Sequence, residues 1–526
     1  MTKRDIPIDA PRRYPEETRG YGPCKARDVR RLSTTFLGSF SLAVLACAPS
    51  VETTPSGGAG GGTSIGGAGG GTTVGGAGGG TTTSTGGAGG AAITDAPWSR
   101  RFGTPDLATE VFTGGVAGDD GVFAVTQESA KNDDNTWHDV SPRHLLRFDP
   151  LGNVVSDWSI DRLGRVAVAP DQSLIVTFDI IGGSSTDFLG KPVSCEADWC
   201  TGIARVDANG TPVWIRTLEA NGAQAGVTTD QLRIAENGRI VMTGLFNAKL
   251  DIGTSSLDSG PTTGLFVAEL TPDGAPAWAR AIRFFYSGGS QGWFYLRMAT
   301  SSAGDVVIGG TSEAPIDFGD GVMLPVSTQS GFFARYDASG TVVQRGSIPA
   351  PQNGEPITVA IDTMGNTTIA AWSRGAFDLD GTTLGAPGET RLHHIKLDSN
   401  GALLGSQVLI DGEDGLGSLA MAIDATNQTW LCTTLSTPLT VGGAALTPVS
   451  TSDILLLKLD PSGNVLSRRQ FGTTGRSGCI GVRLGPTGVP VLAGMTTGSI
   501  DFGQGLLQTT GLRDGLIAKL GPSDTL

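Results

Sequence analysis

From Trp98 to its end the chain is filled with short apolar runs interrupted by polar turns, and alternation with a period of two marks such runs as β-strands. The clearest instance is Ile454–Leu459 (ILLLKL), the turn Asp460-Pro461-Ser462-Gly463, and a second run closing at Phe471-Gly472. Asp, Pro and Gly at those places pre-set a tight reversal, so the stretch reads as a β-hairpin. The same turn recurs as Asp149-Pro150-Leu151-Gly152, Asp207-Ala208-Asn209-Gly210, Thr271-Pro272-Asp273-Gly274, Asp337-Ala338-Ser339-Gly340 and Asp398-Ser399-Asn400-Gly401, with a degenerate last copy at Gly521-Pro522-Ser523-Asp524. First residues fall at 149, 207, 271, 337, 398, 460 and 521, so neighbouring copies lie 58 to 66 residues apart. Recurrence at this spacing is the mark of a repeat architecture.

One unit can be laid out in full on Ser418–Gly472. Ser418–Asp424 (SLAMAID) is a first strand, Ala425–Gln428 a turn and Thr429–Leu435 a second strand; a link of about twenty residues then leads into the hairpin. Elsewhere the link carries Asp-Phe-Gly or a relative, at Asp187-Phe188-Leu189-Gly190, Asp251-Ile252-Gly253, Asp317-Phe318-Gly319 and Asp501-Phe502-Gly503. Repetition without helical context makes this a structural turn, not the metal-binding loop of a kinase. Four antiparallel strands repeated seven times predict an all-β, seven-bladed β-propeller. The last unit stops after a third strand, Gly515–Leu520, while Trp98–Gly103 (WSRRFG) matches the fourth-strand ending Ser467–Gly472 (SRRQFG). The N-terminal strand is therefore expected to close the final blade.

Lys458–Val465 (KLDPSGNV), the Asp-Phe-Gly link and strand entries such as Ala422-Ile423-Asp424 resemble the bacterial seven-bladed β-propeller repeats of the SBBP type. The resemblance spans roughly the last four-fifths of the chain and implies the fold. It also implies an exported or surface protein, often a lipoprotein, of a family with no common enzyme activity.

Before the repeats the pattern changes twice. Residues 1–46 hold Arg12-Arg13, Lys25, Arg27 and Arg30-Arg31 ahead of a short apolar run, Leu32–Ala46, the layout of a signal peptide with a long basic flank. Val44-Leu45-Ala46-Cys47 reads as a lipobox, with Cys47 lipidated and becoming the mature N-terminus; cleavage after Ala48 is the competing reading. Residues 47–95 are rich in Gly and Thr, with GGAGGG at Gly57–Gly62, Gly66–Gly71 and Gly75–Gly80. Such a stretch cannot bury a core and is expected to be a flexible tether with a span of roughly 40 Å. Residues 96–526 form the propeller.

Charge and chemistry narrow the function only in part. A net charge of −14 removes nucleic acid as a partner, leaving contact with a membrane to the lipid anchor alone. Cys195 and Cys200, in VSCEADWC, suit a local disulfide in an oxidising compartment, with a metal pair as the alternative. Cys432 and Cys479, in different units, read as separate buried cysteines. The four histidines, His138, His144, His393 and His394, read as half-exposed strand residues. Six units place a base two residues before the turn, Arg147, Arg205, Arg335, Lys396, Lys458 and Lys519, with Glu269 the exception; these are expected to partner turn aspartates. Unit 1 departs most from the repeat and carries Asp133, Asp134, Asn135, Trp137, His138 and Asp139, groups suited to a Ca²⁺ ion or a sugar, although a solvated loop is the plainer reading. No other cofactor and no catalytic residue is assigned. The expected role is a binding or scaffolding module of the cell envelope, facing an envelope protein or glycan, with outer-membrane attachment through Cys47. A propeller enzyme acting on extracellular polysaccharide and a purely structural surface spacer are the alternatives.

Overall fold

The computed structural model describes residues 96–131, 137–260, 263–285, 296–326, 329–350, 357–412 and 417–521. Cys47, the leader and the Gly-rich stretch lie outside them, as do Asp133, Asp134 and Asn135 of the unit 1 loop.

Each hairpin begins with its turn. Asp149 Oδ1 accepts the N–H groups of Leu151 and Asn153 at 2.9 and 2.8 Å. Asp207, Asp337, Asp398 and Asp460 repeat the arrangement in their own turns. Unit 3 has Thr271 instead, whose hydroxyl accepts the Ala275 N–H at 3.0 Å. These side chains satisfy backbone donors that the reversal would otherwise leave open.

The described residues outside the strands form turns and irregular links, without helix, and every ladder within a unit is antiparallel. Pairing gives four four-stranded sheets, an eleven-stranded sheet in which units 2 and 3 are joined, a six-stranded sheet in which the unit 5 strands extend into the unit 6 link, and small two-stranded hairpins. In unit 1 the order is Ala108–Val116, Val122–Lys131, Trp137–Phe148 and Val154–Ile160, each hydrogen-bonded to the next. The first strands of the remaining units are Leu163–Val168, Ala220–Ile234, Arg297–Thr300, Ile357–Ile361, Ala420–Ile423 and Ser477–Leu484. Each of these seven strands packs against that of the unit before and the unit after, and Ser477–Leu484 packs against Ala108–Val116, so that they form a continuous cycle. They are the inner strands of a β-propeller. In units 2 to 7 the links between second and third strands fold into small hairpins, where Asp317 and Asp501 cap the turn and Phe188, Phe318 and Phe502 are buried.

The closing strand is Trp98–Phe102. It pairs antiparallel with Asp514–Lys519, from Trp98 opposite Lys519 to Phe102 opposite Gly515. Trp98 is 4% exposed, stacks on Phe148 of unit 1 at a centroid distance of 5.3 Å, and donates its indole N–H to Pro150 O at 3.1 Å. Its ring lies over the turn glycine Gly152, where φ is +80° and an added Cβ would sit 2.4 Å from the indole. The contact recurs around the molecule: Trp158 lies on Gly210, Trp214 on Gly274, Trp278 on Gly340 and Gln344 on Gly401. A fourth-strand side chain thus docks on the turn of the next unit, which needs both the left-handed conformation and the missing side chain of glycine.

The repeated bases tie down a second turn, mostly within their own unit. Arg147, Arg205, Arg335 and Lys396 pair with Asp119, Asp171, Asp305 and Asp362, each in the turn between the first two strands of its own unit. Unit 3 reverses the charges, with Glu269 accepting from Arg239. The corresponding turn of unit 7, Gly485-Pro486-Thr487-Gly488, has no carboxylate, and Lys519 reaches Asp120 of unit 1 in a fully buried pair.

Candidate functional site

Residues singled out from the sequence fall at separate places. Trp137 and His138 open the third strand of unit 1, opposite Lys131 and Ala130, and His138 is exposed. The Asp139 carboxylate is taken up within that hairpin, accepting from Ser129 Oγ at 3.3 Å and from Arg143 at 2.9 Å. Cys195 and Cys200 are bonded to each other, with Cα atoms 6.5 Å apart. Glu219 lies beside the two sulfurs, and its carboxylate accepts the N–H of Glu196 at 2.7 Å and of Ala197 at 2.5 Å. Those bonds give the carboxylate a structural employment in holding the loop.

Two sequence expectations require correction. Cys432 and Cys479 are not separate: they form a disulfide with Cα atoms 6.1 Å apart. The second strand of unit 6 and the inner strand of unit 7 are neighbours in the cycle, which brings together residues that belong to different repeats. His393 and His394 are not half-exposed but 1% and 2% exposed. Ser373 Oγ is 2.9 Å from His393 Nε2, and Phe377 meets the same ring edge-on. Burial, and then the charge of Arg391 or Lys396, pushes each histidine down to about 4, so both are neutral at pH 7.

The inner strands hold a different set of groups. Arg165 stands on the inner strand of unit 2, Arg233 on that of unit 3, Arg297 on that of unit 4 and Arg483 on that of unit 7, all half-buried. Local irregularities help to place them. The ladder of unit 2 slips between Leu163 and Val166, and the Arg165 N–H bonds to Thr177 Oγ1 instead. In unit 3 the ladder slips between Thr229 and Gln231, setting Asp230 out as the extra residue of a bulge. Arg165 donates to the Asp230 carbonyl at 2.6 Å and approaches its carboxylate at 3.4 Å. Arg297 Nε reaches Leu419 O at 3.2 Å, from unit 4 to the strand entry of unit 6, and so passes across the interior of the cycle. Arg233 and Arg483 each donate to the carbonyl of the residue before them, at 2.8 and 2.9 Å.

These guanidiniums act on one another. Burial pulls the Arg233 pKa far down, followed by the charges of Arg483, Arg297 and Arg165, with Asp230 opposing. Arg483 is brought down to about 10 by burial and by Arg297. Units 3, 4 and 7 are not all neighbours in the cycle, so this mutual influence can run only through its middle. Guanidiniums stay protonated at physiological pH in any case. The downward pull is thus set first by burial and second by the neighbouring guanidiniums.

Beside this cluster lies a mixed-charge border. Glu110 on the inner strand of unit 1 is paired with Arg513 at 2.5 Å, yet burial, aided by Asp139, raises its pKa against the pull of Arg513, Arg143 and Arg165. Asp179 is pushed up to about 6 by burial, against Arg143. Asp139, at the flank of the unit 1 loop, is thus electrostatically linked to the inner strands through Glu110 and Arg143. The four arginines are not among the residues shared by the units. The signal lay in the difference: four or two residues before the first turn, units 5 and 6 have Thr358, Ala360, Ala420 and Ala422.

No family model and no curated protein matches the chain. Among solved structures, it is similar to a gluconolactonase from Xanthomonas campestris, 17% identical over 63% of this chain and 86% of that one, with a TM-score of 0.29. An ulvan lyase, a polysaccharide lyase, is 10% identical over 75% of this chain and 93% of its own, with a TM-score of 0.40. BBS1N, solved in complex with ARL6DN, is 10% identical over 80% of this chain and 93% of its own, with a TM-score of 0.34.

Proposed function

We propose that this protein is an exported, lipid-anchored β-propeller of the cell envelope that binds a ligand through its inner strands, without transforming it, and that it belongs with the SBBP-type repeats it resembles. The observation that carries the binding role is the placement of Arg165, Arg233, Arg297 and Arg483 on the inner strands of four units, the other three within electrostatic reach of Arg233. Of the bases that recur from unit to unit, Arg147, Arg205, Arg335, Lys396 and Lys519 are engaged by turn carboxylates and so serve the fold. The inner-strand arginines follow no such repeat, and a departure from internal symmetry is where binding is grafted onto a repeated scaffold.

Export draws support from the Cys195–Cys200 and Cys432–Cys479 disulfides, which persist in oxidising compartments. Anchoring rests on Val44-Leu45-Ala46-Cys47. Expressed in its own envelope, the wild-type chain should partition into detergent and Cys47→Ser should be released to the aqueous phase; equal partitioning of the two defeats the anchor. Capture of envelope glycans and proteins on the immobilised full chain tests the binding role, and recovery of no component above a blank resin defeats it. A polysaccharide-cleaving propeller is the second reading. It draws on Glu110 and Asp179, two carboxyls raised by burial near Arg143 and Arg165, and release of unsaturated or reducing ends from envelope polysaccharide would favour it.

A further inference from the structure

We propose that the seam between unit 7 and unit 1 holds a binding site for an uncharged sugar, with one pyranose ring lodged between the closing strand and the face of unit 1 that meets it. None of the four inner-strand arginines lines this site, so the inference goes beyond the binding role proposed above and stands apart from it.

The site follows from strand register. Along Ala108–Val116 alternate side chains share a face, and Val111 turns toward unit 7, where a Cβ added to Gly515 would lie 2.4 Å from its Cγ2. Thr109 shares that face. Across the next ladder Glu128 stands opposite Thr109 and Thr126 opposite Val111, and one strand further out His144 stands opposite Thr126. Unit 1 thus turns a row of polar side chains toward the seam. The closing side answers with Gly103 and Gly515, which have no side chain to fill the space. The ladder of the second and third strands also slips between Thr126 and Glu128, which places Pro142 in the extra segment of a bulge. What remains between Arg101–Thr104 and this face is a cavity of about 330 Å³. Small-molecule sites run from about 300 to 1,000 Å³, so the space suits a small ligand.

The floor of the cavity and its rim differ in exposure. Thr109 is 2% exposed and Thr126 8%, whereas Glu128 and His144 are half-exposed and Pro142 is exposed. The buried Thr109 hydroxyl has no hydrogen-bond partner among the described residues. Buried hydroxyls are normally satisfied, so this one marks a place for a polar atom that the chain does not supply. A hydroxyl both donates and accepts, and another hydroxyl answers it in both roles. At the rim, Glu128 accepts from Thr104 Oγ1, and Asp157 holds the His144 ring through Nδ1 at 2.8 Å, with Nε2 as its other polar atom. Phe102, edge-on to Phe148 with centroids 6.0 Å apart, joins Pro142 as apolar lining. Hydroxyl-bonding groups beside an aromatic ring and a proline match a pyranose, which carries hydroxyls around its edge and C–H groups on its faces. Charge narrows the kind of sugar. Arg101 is bound to Asp514 at 2.7 Å and to Thr510 at 2.6 Å, so its charge is met within the protein, while the Glu128 carboxylate repels an acidic sugar.

The test is a calorimetric and saturation-transfer NMR titration of the full-length chain, solubilised in a detergent without a sugar headgroup. The probes are the methyl glycosides of glucose, galactose, mannose and N-acetylglucosamine, with glucuronic acid and glycerol alongside. At least one methyl glycoside should bind saturably, about tenfold or more tighter than glucuronic acid or glycerol. Thr109→Val keeps the shape of the side chain and should weaken that binding about tenfold. Without sugar the same variant should melt at or above the wild-type temperature, since a methyl group replaces an unsatisfied hydroxyl. A threonine with a purely structural role would give lower melting and unchanged binding instead. Glu128→Gln, at a half-exposed position, should bring glucuronic acid closer to the neutral glycosides and carries the test if Thr109→Val misfolds. Failure of all four glycosides to bind saturably, binding no tighter than that of glycerol, or variants that bind as the wild type does would each overturn the site. Sugar binding that is lost in Arg233→Gln and kept in Thr109→Val would overturn it too, by assigning the sugar to the inner strands.

Discussion

At the scale of the residue, the buried histidines make a prediction whose sign is fixed. Both have folded-state values near 4, below the ordinary 6.5, so the unfolded chain binds more protons between those limits. Stability is then fully present above about pH 6.5 and is lost as the pH falls toward 4, by on the order of 3 kcal/mol for each ring. Urea unfolding at pH 7 and pH 5 should show the loss, and His394→Gln should flatten the slope; a midpoint independent of pH over this range would contradict it. Trp98 gives a second test. It is 4% exposed, stacked on Phe148 and laid over Gly152, so Trp98→Ala should cost about 3–5 kcal/mol by denaturant melting. Gly152→Val should destabilise as well, because a side chain there meets the indole and the backbone sits at φ +80°.

At the scale of the element, local chemistry was readable and ring neighbours were not. The turn aspartates could be named from sequence because each acts on N–H groups two and four residues ahead, as Asp149 does on Leu151 and Asn153. Arg147, Arg205, Arg335 and Lys396 do partner aspartates, but in the turn between the first two strands, which only strand pairing discloses, and Lys458 stands over the Trp430 ring. Cys432 and Cys479 escaped for the same reason: their contact depends on unit 6 lying against unit 7. That bridge encloses 47 residues against 5 for Cys195–Cys200. On a chain-entropy basis it contributes about 4 kcal/mol and the shorter one about 2. Cys432→Ser should therefore lower the denaturant midpoint more than Cys195→Ser does, and the reverse order would show that strain or local packing governs instead.

For the whole molecule, the regular spacing of seven turns made the all-β repeat legible, and the incomplete last unit made its closing strand legible. The inner-strand arginines were hidden because no local pattern links positions 165, 233, 297 and 483; the curvature of the cycle alone brings them together. The unit 1 loop drew attention through its composition, while the charge that carries the binding proposal lies on strands whose sequences look unremarkable one at a time. Closure is testable at this scale. A chain beginning at Thr104 lacks the strand paired with Asp514–Lys519 and should melt well below one beginning at Ala96, or aggregate through the exposed edge. Equal melting of the two would mean the cycle does not depend on that strand.

The closing strand also decides how the domain meets mechanical force. Load arriving through the chain before Pro97 falls first on Trp98–Phe102, an outer strand held by a single ladder. Its leading residue is Trp98, and the indole bond to Pro150 O passes the pull to unit 1 as well as to unit 7. Tension is thereby divided between the two units that meet at the seam before any backbone pair of the ladder is broken. Trp98 acts as a mechanical clamp at the point of traction, and a pulling experiment from the N-terminus should register Trp98→Ala as a lower rupture force for the first event, with the later unfolding of the inner strands unchanged.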